Sequence, residues 1–297
     1  MAIYVVNPGA LTTVQDLGRT GYQALGMPCS GVMDPNAWSA ANELVGNKNG
    51  EAALELTLFG GIYEMKEEAI LAITGADMAP TLDGAPCPMN RPFSAKKGQT
   101  LMLGCAVSGC RAYLAAAGGI DVPEVLGSRS TNLKCALGGY RGRALLSGDL
   151  LPIGSSAVRL ADISDHAAAA ALYPDDISVR VIGGPQEDAF TAEGLHTFYS
   201  DRFTVSQESD RMGCRLTGPP VESKNGTDII SDAVVFGSIQ VTPAGNPIVL
   251  LADRQTTGGY AKIATVCTAD LWKLAQARPG NTVHFQKITV AEAQQLL

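Results

Sequence analysis

At 297 residues the chain is long enough for two domains with full-sized cores. Its 46% hydrophobic and 17% charged content excludes a disordered chain, and a formal charge of −7 excludes the dense basic face that displaces counterions from nucleic-acid phosphates. Seven cysteines, odd in number and without C-x-x-C spacing, and three widely separated histidines speak for reduced core thiols and against a disulfide framework or a metal site.

The opening run MAIYVVNPGALTTVQD has neither a basic n-region nor a long apolar core, and no apolar run approaches membrane-spanning length. The expectation is therefore a cytoplasmic protein without a leader or membrane contact. AIYVV (residues 2–6) is the first strand signal. TTVQDLGRTG (residues 12–21) follows, a glycine-containing loop offering Gln15, Asp16 and Arg19. Arg19 supplies a planar fork of donors suited to a carboxylate or phosphate, which Asp16 could orient. The same two residues could instead staple the loop to the fold.

Asp34 is predicted to cap a helix with Pro35 at its first position, running through Ala37, Trp38, Ala41 and Leu44 to a stop at Gly46. Strand signals then dominate: residues 54–59, 69–73, 100–104 and 111–117, short and bounded by Gly, Pro, Asn or Asp. Glu64-Met65-Lys66 superficially matches a biotin-attachment tripeptide, but Glu67 and Glu68 follow it, and a charged hairpin explains the run better. In the glycine-rich middle, GSRST (residues 127–131) places Ser128, Arg129, Ser130 and Thr131 near Arg141 and Arg143. Such a stretch can form a nest for an oxyanion or a solvated basic loop. DHAAAAALYPDD (residues 165–176) reads as a short helix or linker.

Past the linker, strands are predicted over residues 178–182, 234–241 and 248–252. SDRMGCRL (residues 209–216) contributes Asp210, Arg211 and Arg215, and Gln240 lies in a strand. ADRQTTGGYAKI (residues 252–263) is the most unusual run: Asp253, Arg254, Gln255, Thr256, Thr257, Gly258, Gly259, Tyr260 and Lys262 follow a buried strand directly. Side chains at a strand end are well placed for an anionic or carbonyl ligand, and paired glycines admit close backbone approach. Equally, Asp253 and Arg254 could pair with each other while Gly258-Gly259 makes a turn. Helices are predicted over residues 268–277 and 289–297, the last opened by a capping box between Thr289 and Glu292. Neither a P-loop nor a G-x-S-x-G elbow occurs.

The two halves read as copies of one β-rich unit. Residues 16–28, 53–62, 69–77 and 96–103 find weak counterparts, in the same order, in residues 209–220, 232–239, 247–259 and 278–285. The expected organisation is a first β-rich lobe over residues 1–105, a glycine-rich middle over 106–176 that completes it and supplies a linker, and a second lobe over 177–297. A cleft between lobes is a preferred place for a ligand.

TTVQDLGRTG, SGVMDPNAWSAANELVGN (residues 30–47), AAGGIDVPEVLGSRST (residues 116–131), SDRMGCRL and LLADRQTTGGY (residues 250–260) together resemble the 5-oxoprolinase C-subunit or KipA-like family. That family is also labelled allophanate hydrolase subunit 2 or biotin-dependent carboxyltransferase. The resemblance runs from end to end, with Cys214 standing where the pattern suggests an aromatic residue. It implies a mainly β protein of two related cyclophilin-like β-barrel lobes with a few short helices. It also implies partners, a KipI-like 5-oxoprolinase B-subunit and a LamB/YcsF-type A-subunit, and a small amide substrate. The implied reaction is ATP-dependent opening of 5-oxoproline to glutamate, with or without Mg²⁺ on the nucleotide. Arg254, Asp253, Arg215, Lys262 and Asp16 would be its catalytic groups. The remaining readings are carboxyl transfer from carboxybiotin to urea or a related amide, the only one that requires biotin, and a non-catalytic regulator that antagonises a KipI-like kinase inhibitor.

Overall fold

The computed structural model describes residues 1–48 and 50–296. The chain divides into two units, Met1–Thr20 with Ser30–Tyr173, and Gly21–Cys29 with Pro174–Leu297.

The first unit holds β1 (Ala2–Asn7), β2 (Leu11–Gln15), helix α1 (Pro35–Leu44), β3 (Ala53–Thr57), β4 (Ile62–Met65), β5 (Ala69–Asp77), β6 (Thr81–Leu82), β7 (Ala85–Pro86), β8 (Pro92–Ala95), β9 (Thr100–Met102), β10 (Ser108–Ala116), β11 (Leu150–Pro152) and the short α2 (Leu160–Ile163). Its strands form two sheets, ordered β11-β1-β4-β9-β6-β7 and β2-β3-β10-β5-β8. β10 is central to the second sheet, and that position explains why every residue from Gly109 to Ala116 is buried. On one face Ala112, Leu114 and Ala116 join a core that draws on both sheets, with Ile3, Tyr63, Leu54 and Ile73. On the other, Tyr113 and Ala115 pack against Trp38, Ala41 and Leu44 of α1. That helix starts where expected, because the Asp34 carboxylate accepts the Asn36 and Ala37 amides at 3.1 Å each and Pro35 has no amide to satisfy.

The second unit contains β12 (Asp176–Gly183), α3 (Ala192–Ser200), β13 (Phe203–Val205), β14 (Gly213–Thr217), β15 (Asp228–Ala233), β16 (Ser238–Val241), β17 (Pro247–Leu250), β18 (Thr257–Tyr260), β19 (Lys262–Val266), α4 (Leu271–Ala275), β20 (Thr282–Lys287) and α5 (Val290–Gln294). Seven of its strands close a barrel in the order β12-β19-β16-β17-β14-β13-β20, while β15 and β18 form a separate two-stranded ribbon. β12 shows the period-2 burial of a barrel strand, with Ile177, Val179 and Val181 inside, and it closes the barrel by pairing in parallel with β20. Phe285 of β20 stacks on Phe198 of α3 at 4.5 Å between ring centroids, with Phe203 beside both. Each fully buried ring contributes roughly 1.5–3 kcal/mol.

The protein is thus mainly β with a few short helices. Several local expectations shift. The strand predicted over residues 234–241 begins only at Ser238, after a turn. The helix predicted over residues 268–277 shrinks to a 3-10 turn over Thr268–Asp270 and α4, and the Asp270 carboxylate binds Arg180 and Lys273 rather than capping α4. The capping box forms, Thr289 N donating to Glu292 Oε2 at 2.7 Å and Glu292 N to Thr289 Oγ1 at 3.2 Å, but α5 ends at Gln294, and Leu297 lies outside the described residues. Lys66 pairs with Glu64 at 2.6 Å, yet the segment joins β4 of one sheet to β5 of the other rather than closing a hairpin. The matched repeat segments keep their order but not their neighbours: β3 and β5 flank β10, whereas β16 and β17 pair directly. No helix among the described residues is long and apolar enough to cross a membrane.

Candidate functional site

The candidate residues fall into two clusters, one per unit. In the first, Asp16 sits just past the end of β2 and is saturated with hydrogen bonds. Its Oδ1 accepts from Gly18 N at 2.8 Å and from the Ser128 and Ser130 hydroxyls at 2.6 Å each, and its Oδ2 accepts from Arg129 N at 2.5 Å. Arg19, fully buried, donates from Nη2 to the Ser130 carbonyl at 2.5 Å. Asp16 and Arg19 thus meet at Ser130, one gripping its hydroxyl and the other its carbonyl. Thr131 donates its amide and hydroxyl to Val14 O at 2.9 and 3.0 Å, and Gln15 Nε2 reaches Thr131 O at 3.2 Å. Arg129 turns away, toward Val122 O at 3.1 Å and Glu124 at 3.1 Å.

The glycine-rich stretch is therefore buried and tied down rather than a solvated loop. Gly138, at φ +66°, is pressed so close to it that a Cβ would meet Ser130 O at 2.2 Å and Arg19 Nη2 at 2.6 Å. Arg143 binds Asp149 in bidentate fashion at 2.7 and 2.8 Å, and that hydrogen bonding holds the Asp149 carboxyl below its ordinary range despite burial. Arg141 is exposed over the Tyr140 ring.

In the second unit Asp210 repeats the local device of Asp16, accepting the amide two residues on, Met212 N, at 2.8 Å. Arg211 pairs with Asp253, Nε to Oδ2 at 2.9 Å and Nη2 to Oδ1 at 3.2 Å. This overturns the idea that Asp253 and Arg254 neutralise each other. Arg254 is only 8% exposed, and no Asp or Glu among the described residues ion-pairs with it. Its Nη1 donates to Leu251 O at a long 3.4 Å, its Nε has no hydrogen-bond partner, and its guanidinium carbon lies 5.9 Å from the Phe236 ring centroid. Burial pushes this guanidinium below its ordinary range, while the charge and hydrogen bond of the Cys29 sulfur act in the opposite direction.

Around it, Gln255 and Thr256 are half-buried and Thr257 is exposed. Gly258 and Gly259 do not turn: they lie in β18, extended against β15. Gly258 is needed because the Gln240 amide crosses it, so that a Cβ would meet Gln240 Nε2 at 2.4 Å; the same nitrogen donates to Tyr260 O at 3.1 Å. Lys262, buried, gives its ammonium to Asp232 Oδ2 at 2.5 Å and Ala233 O at 2.8 Å, and that pairing holds Asp232 below the usual carboxylate range. Arg215 points outward from the barrel, and only its backbone is engaged, with Ser209 and Ser206.

Sequence reasoning missed Cys29, Gln23, Asp232 and Phe236. Gln23 Nε2 donates to Val234 O at 2.9 Å and to Thr256 O at 3.4 Å, so residues 21–29 pack onto the strand-end run of the second unit. No spacing rule connects segments so far apart in sequence. Among the described residues no group of three His, Cys, Asp or Glu side chains could hold a metal ion. Chemically, the first cluster is an anchor whose polar atoms serve one another. The second offers a desolvated cation without a carboxylate partner, at a strand end lined by an amide and hydroxyls.

Residues 25–287 match the family described as "Carboxyltransferase domain, subdomain A and B", and the chain belongs to that family. The chain is 38% identical over 97% of its length to the 5-oxoprolinase C-subunit of Escherichia coli strain K12, covering 92% of that protein. It is 35% identical over 99% of its length to the protein of the same name from Haemophilus influenzae, covering 94% of it. The crystal structure of the Kluyveromyces lactis urea carboxylase superposes on 99% of the chain with a TM-score of 0.92 at 36% identity, the chain matching 28% of that larger protein.

Proposed function

We propose that this chain is the C-subunit of an ATP-dependent 5-oxoprolinase, acting in the cytoplasm with a KipI-like B-subunit and a LamB/YcsF-type A-subunit to open 5-oxoproline to L-glutamate. The observation that carries this reading is its nearly end-to-end correspondence with two bacterial proteins named as 5-oxoprolinase C-subunits, against 28% of the length of the urea carboxylase.

The chemistry fits a desolvated cation. A lactam resists water because resonance stabilises its carbonyl, so its oxygen is first made a leaving group: it attacks the γ-phosphorus of ATP and ADP departs. Water then adds to the activated carbon, the C–N bond of the adduct breaks as the nitrogen takes up a proton, and a second water hydrolyses the resulting acyl phosphate to glutamate and phosphate. Negative charge grows on phosphoryl and carbonyl oxygens throughout, and a preorganised guanidinium in a water-poor site stabilises it. Arg254 is the group proposed to hold the substrate carboxylate or the transferring phosphoryl. Asp253, through Arg211, fixes the strand end that presents it. Lys262 would reach a phosphate by exchanging its bond to the half-exposed Asp232. Asp16 and its serines would act by holding their loop rather than by proton transfer. The sequence has no P-loop, so ATP would meet these cations or a site on a partner.

The family description and the urea carboxylase superposition favour one second reading, transfer of a carboxyl group from carboxybiotin to an amide nitrogen. Reconstitution separates the two. With both partner proteins present, ADP release should require 5-oxoproline and ignore avidin; release that depends on urea and is abolished by avidin would establish carboxyl transfer instead.

A further inference from the structure

The first unit contains a cavity of about 400 Å³ that the lactam-opening reading leaves unused. Its lining is apolar at Val122, Pro123, Val125 and Pro152, and it carries one charge of each sign, at Asp121 and Arg141. Both charged residues are exposed, and among the described residues neither forms an ion pair, with the other or with a third group. The arginines nearby in sequence are committed elsewhere, Arg143 to both oxygens of Asp149 and Arg129 to Glu124.

Arg141 is instead presented by its backbone. The Gly138–Gly142 run also lines the cavity, and Arg141 takes φ +60° there, a sign it shares with Gly138, Gly139 and Gly142. A long side chain is thus kept where the conformation favours glycine, a departure of the kind found at ligand sites. Its guanidinium carbon stands 5.1 Å from the centroid of the Tyr140 ring, which also lines the cavity. Positive φ at Gly139 and Arg141, on either side of Tyr140, is the alternation that turns successive amides toward an anion, and the amides of Tyr140 and Arg141 donate to no described residue.

Opposite charges that leave each other unpaired, beside an apolar lining, suit a small zwitterion with an apolar body. We propose that this cavity binds a free α-amino acid with an apolar side chain. The ligand carboxylate takes the planar donor fork of Arg141 and the free amides, its ammonium takes the Asp121 carboxylate, and its side chain lies against Val122, Val125 and Pro152. The inference goes beyond the lactam-opening reading and does not rest on it. Binding is read on the chain without ATP or a partner protein, so its failure leaves that reading standing.

The test titrates the full chain with L-leucine by calorimetry, beside 4-methylpentanoate, which lacks the ammonium, and 3-methylbutylamine, which lacks the carboxylate. L-Leucine should bind at least about tenfold more tightly than either, since each analogue forfeits one charged contact. Arg141→Gly, which suits the positive φ and so keeps the backbone, should weaken leucine binding at least about tenfold, and Asp121→Asn, a change on an exposed side chain, should do the same. No saturable binding of L-leucine up to about 10 mM would overturn the proposal. So would equal affinity for 4-methylpentanoate, or leucine binding that both variants leave unchanged.

Discussion

Arg211 and Asp253 form a two-pronged ion pair inside the second unit, with both side chains nearly closed to solvent and a backbone bond, Asp253 N to Arg211 O at 2.9 Å, running alongside. The pair locks the β14 approach to the β17 exit and so sets the direction in which Arg254 leaves the strand end. Removing Arg211 leaves Asp253 charged and buried without its guanidinium. Arg211→Ala should therefore lower unfolding free energy by about 3–5 kcal/mol. The double replacement Arg211→Met with Asp253→Leu should cost clearly less, and urea titration of the single and double variants measures the difference.

Acid stability of the second unit should depend on Asp270. Burial alone would raise its pKa, but hydrogen bonds from the Arg180 side chain and backbone and from Lys273 bring it down to about 2. A carboxylate whose folded pKa is depressed stabilises the fold above its unfolded pKa, near 4, and loses that contribution as pH falls toward 2. The amount at neutral pH is about 2 kcal/mol. Asp270→Asn should flatten the fall of the melting temperature between pH 4 and 2, as calorimetry over that range would record.

Four donors converge on Asp16, and Asp16→Ala leaves the Ser128 and Ser130 hydroxyls and the Arg129 and Gly18 amides without it. The expected cost is about 2–4 kcal/mol, since buried donors lose their acceptor. Amide exchange over residues 125–142 should accelerate while that of β10 stays slow. Uniform acceleration across the first unit would mean that Asp16 supports more than this loop.

Gly138→Ala probes the same anchor from the other side. The added methyl would collide with the Ser130 carbonyl, a backbone atom that cannot swing aside, in a residue already at positive φ. A loss of about 1–3 kcal/mol is expected. Gly84→Ala, also at positive φ but with nothing within 4 Å of its Cβ, should cost about 1 kcal/mol or less and serves as the control in thermal melts.

What was legible in the sequence was local chemistry. Asp34 before Pro35, and Thr289 three residues before Glu292, each identify a helix start because the donors and acceptors involved lie within one turn. The apolar runs at β5 and β10 also declare themselves. By contrast, the Asp16–Ser130 contact spans 114 residues and the Gln23–Val234 contact 211, and nothing in either segment specifies the other. The same holds for the parallel β12–β20 closure of the barrel, whose partners sit at opposite ends of the second half. Motif reading placed Asp253 and Arg254 together as neighbours in sequence. The chain turns there, beyond the end of β17, and the structure gives Asp253 to Arg211 while the Arg254 guanidinium donates to Leu251 O.

Glutamate formation from 5-oxoproline by the complex of this chain with its two partner proteins, measured for wild type and for Arg254→Ala, addresses the central claim most directly. With the variant's fold verified by its melting curve, turnover should drop by about 10²–10³, as expected when a positioned cation is withdrawn from developing oxyanion charge. Turnover within a factor of about two of wild type, from a variant that assembles normally, would contradict the claim.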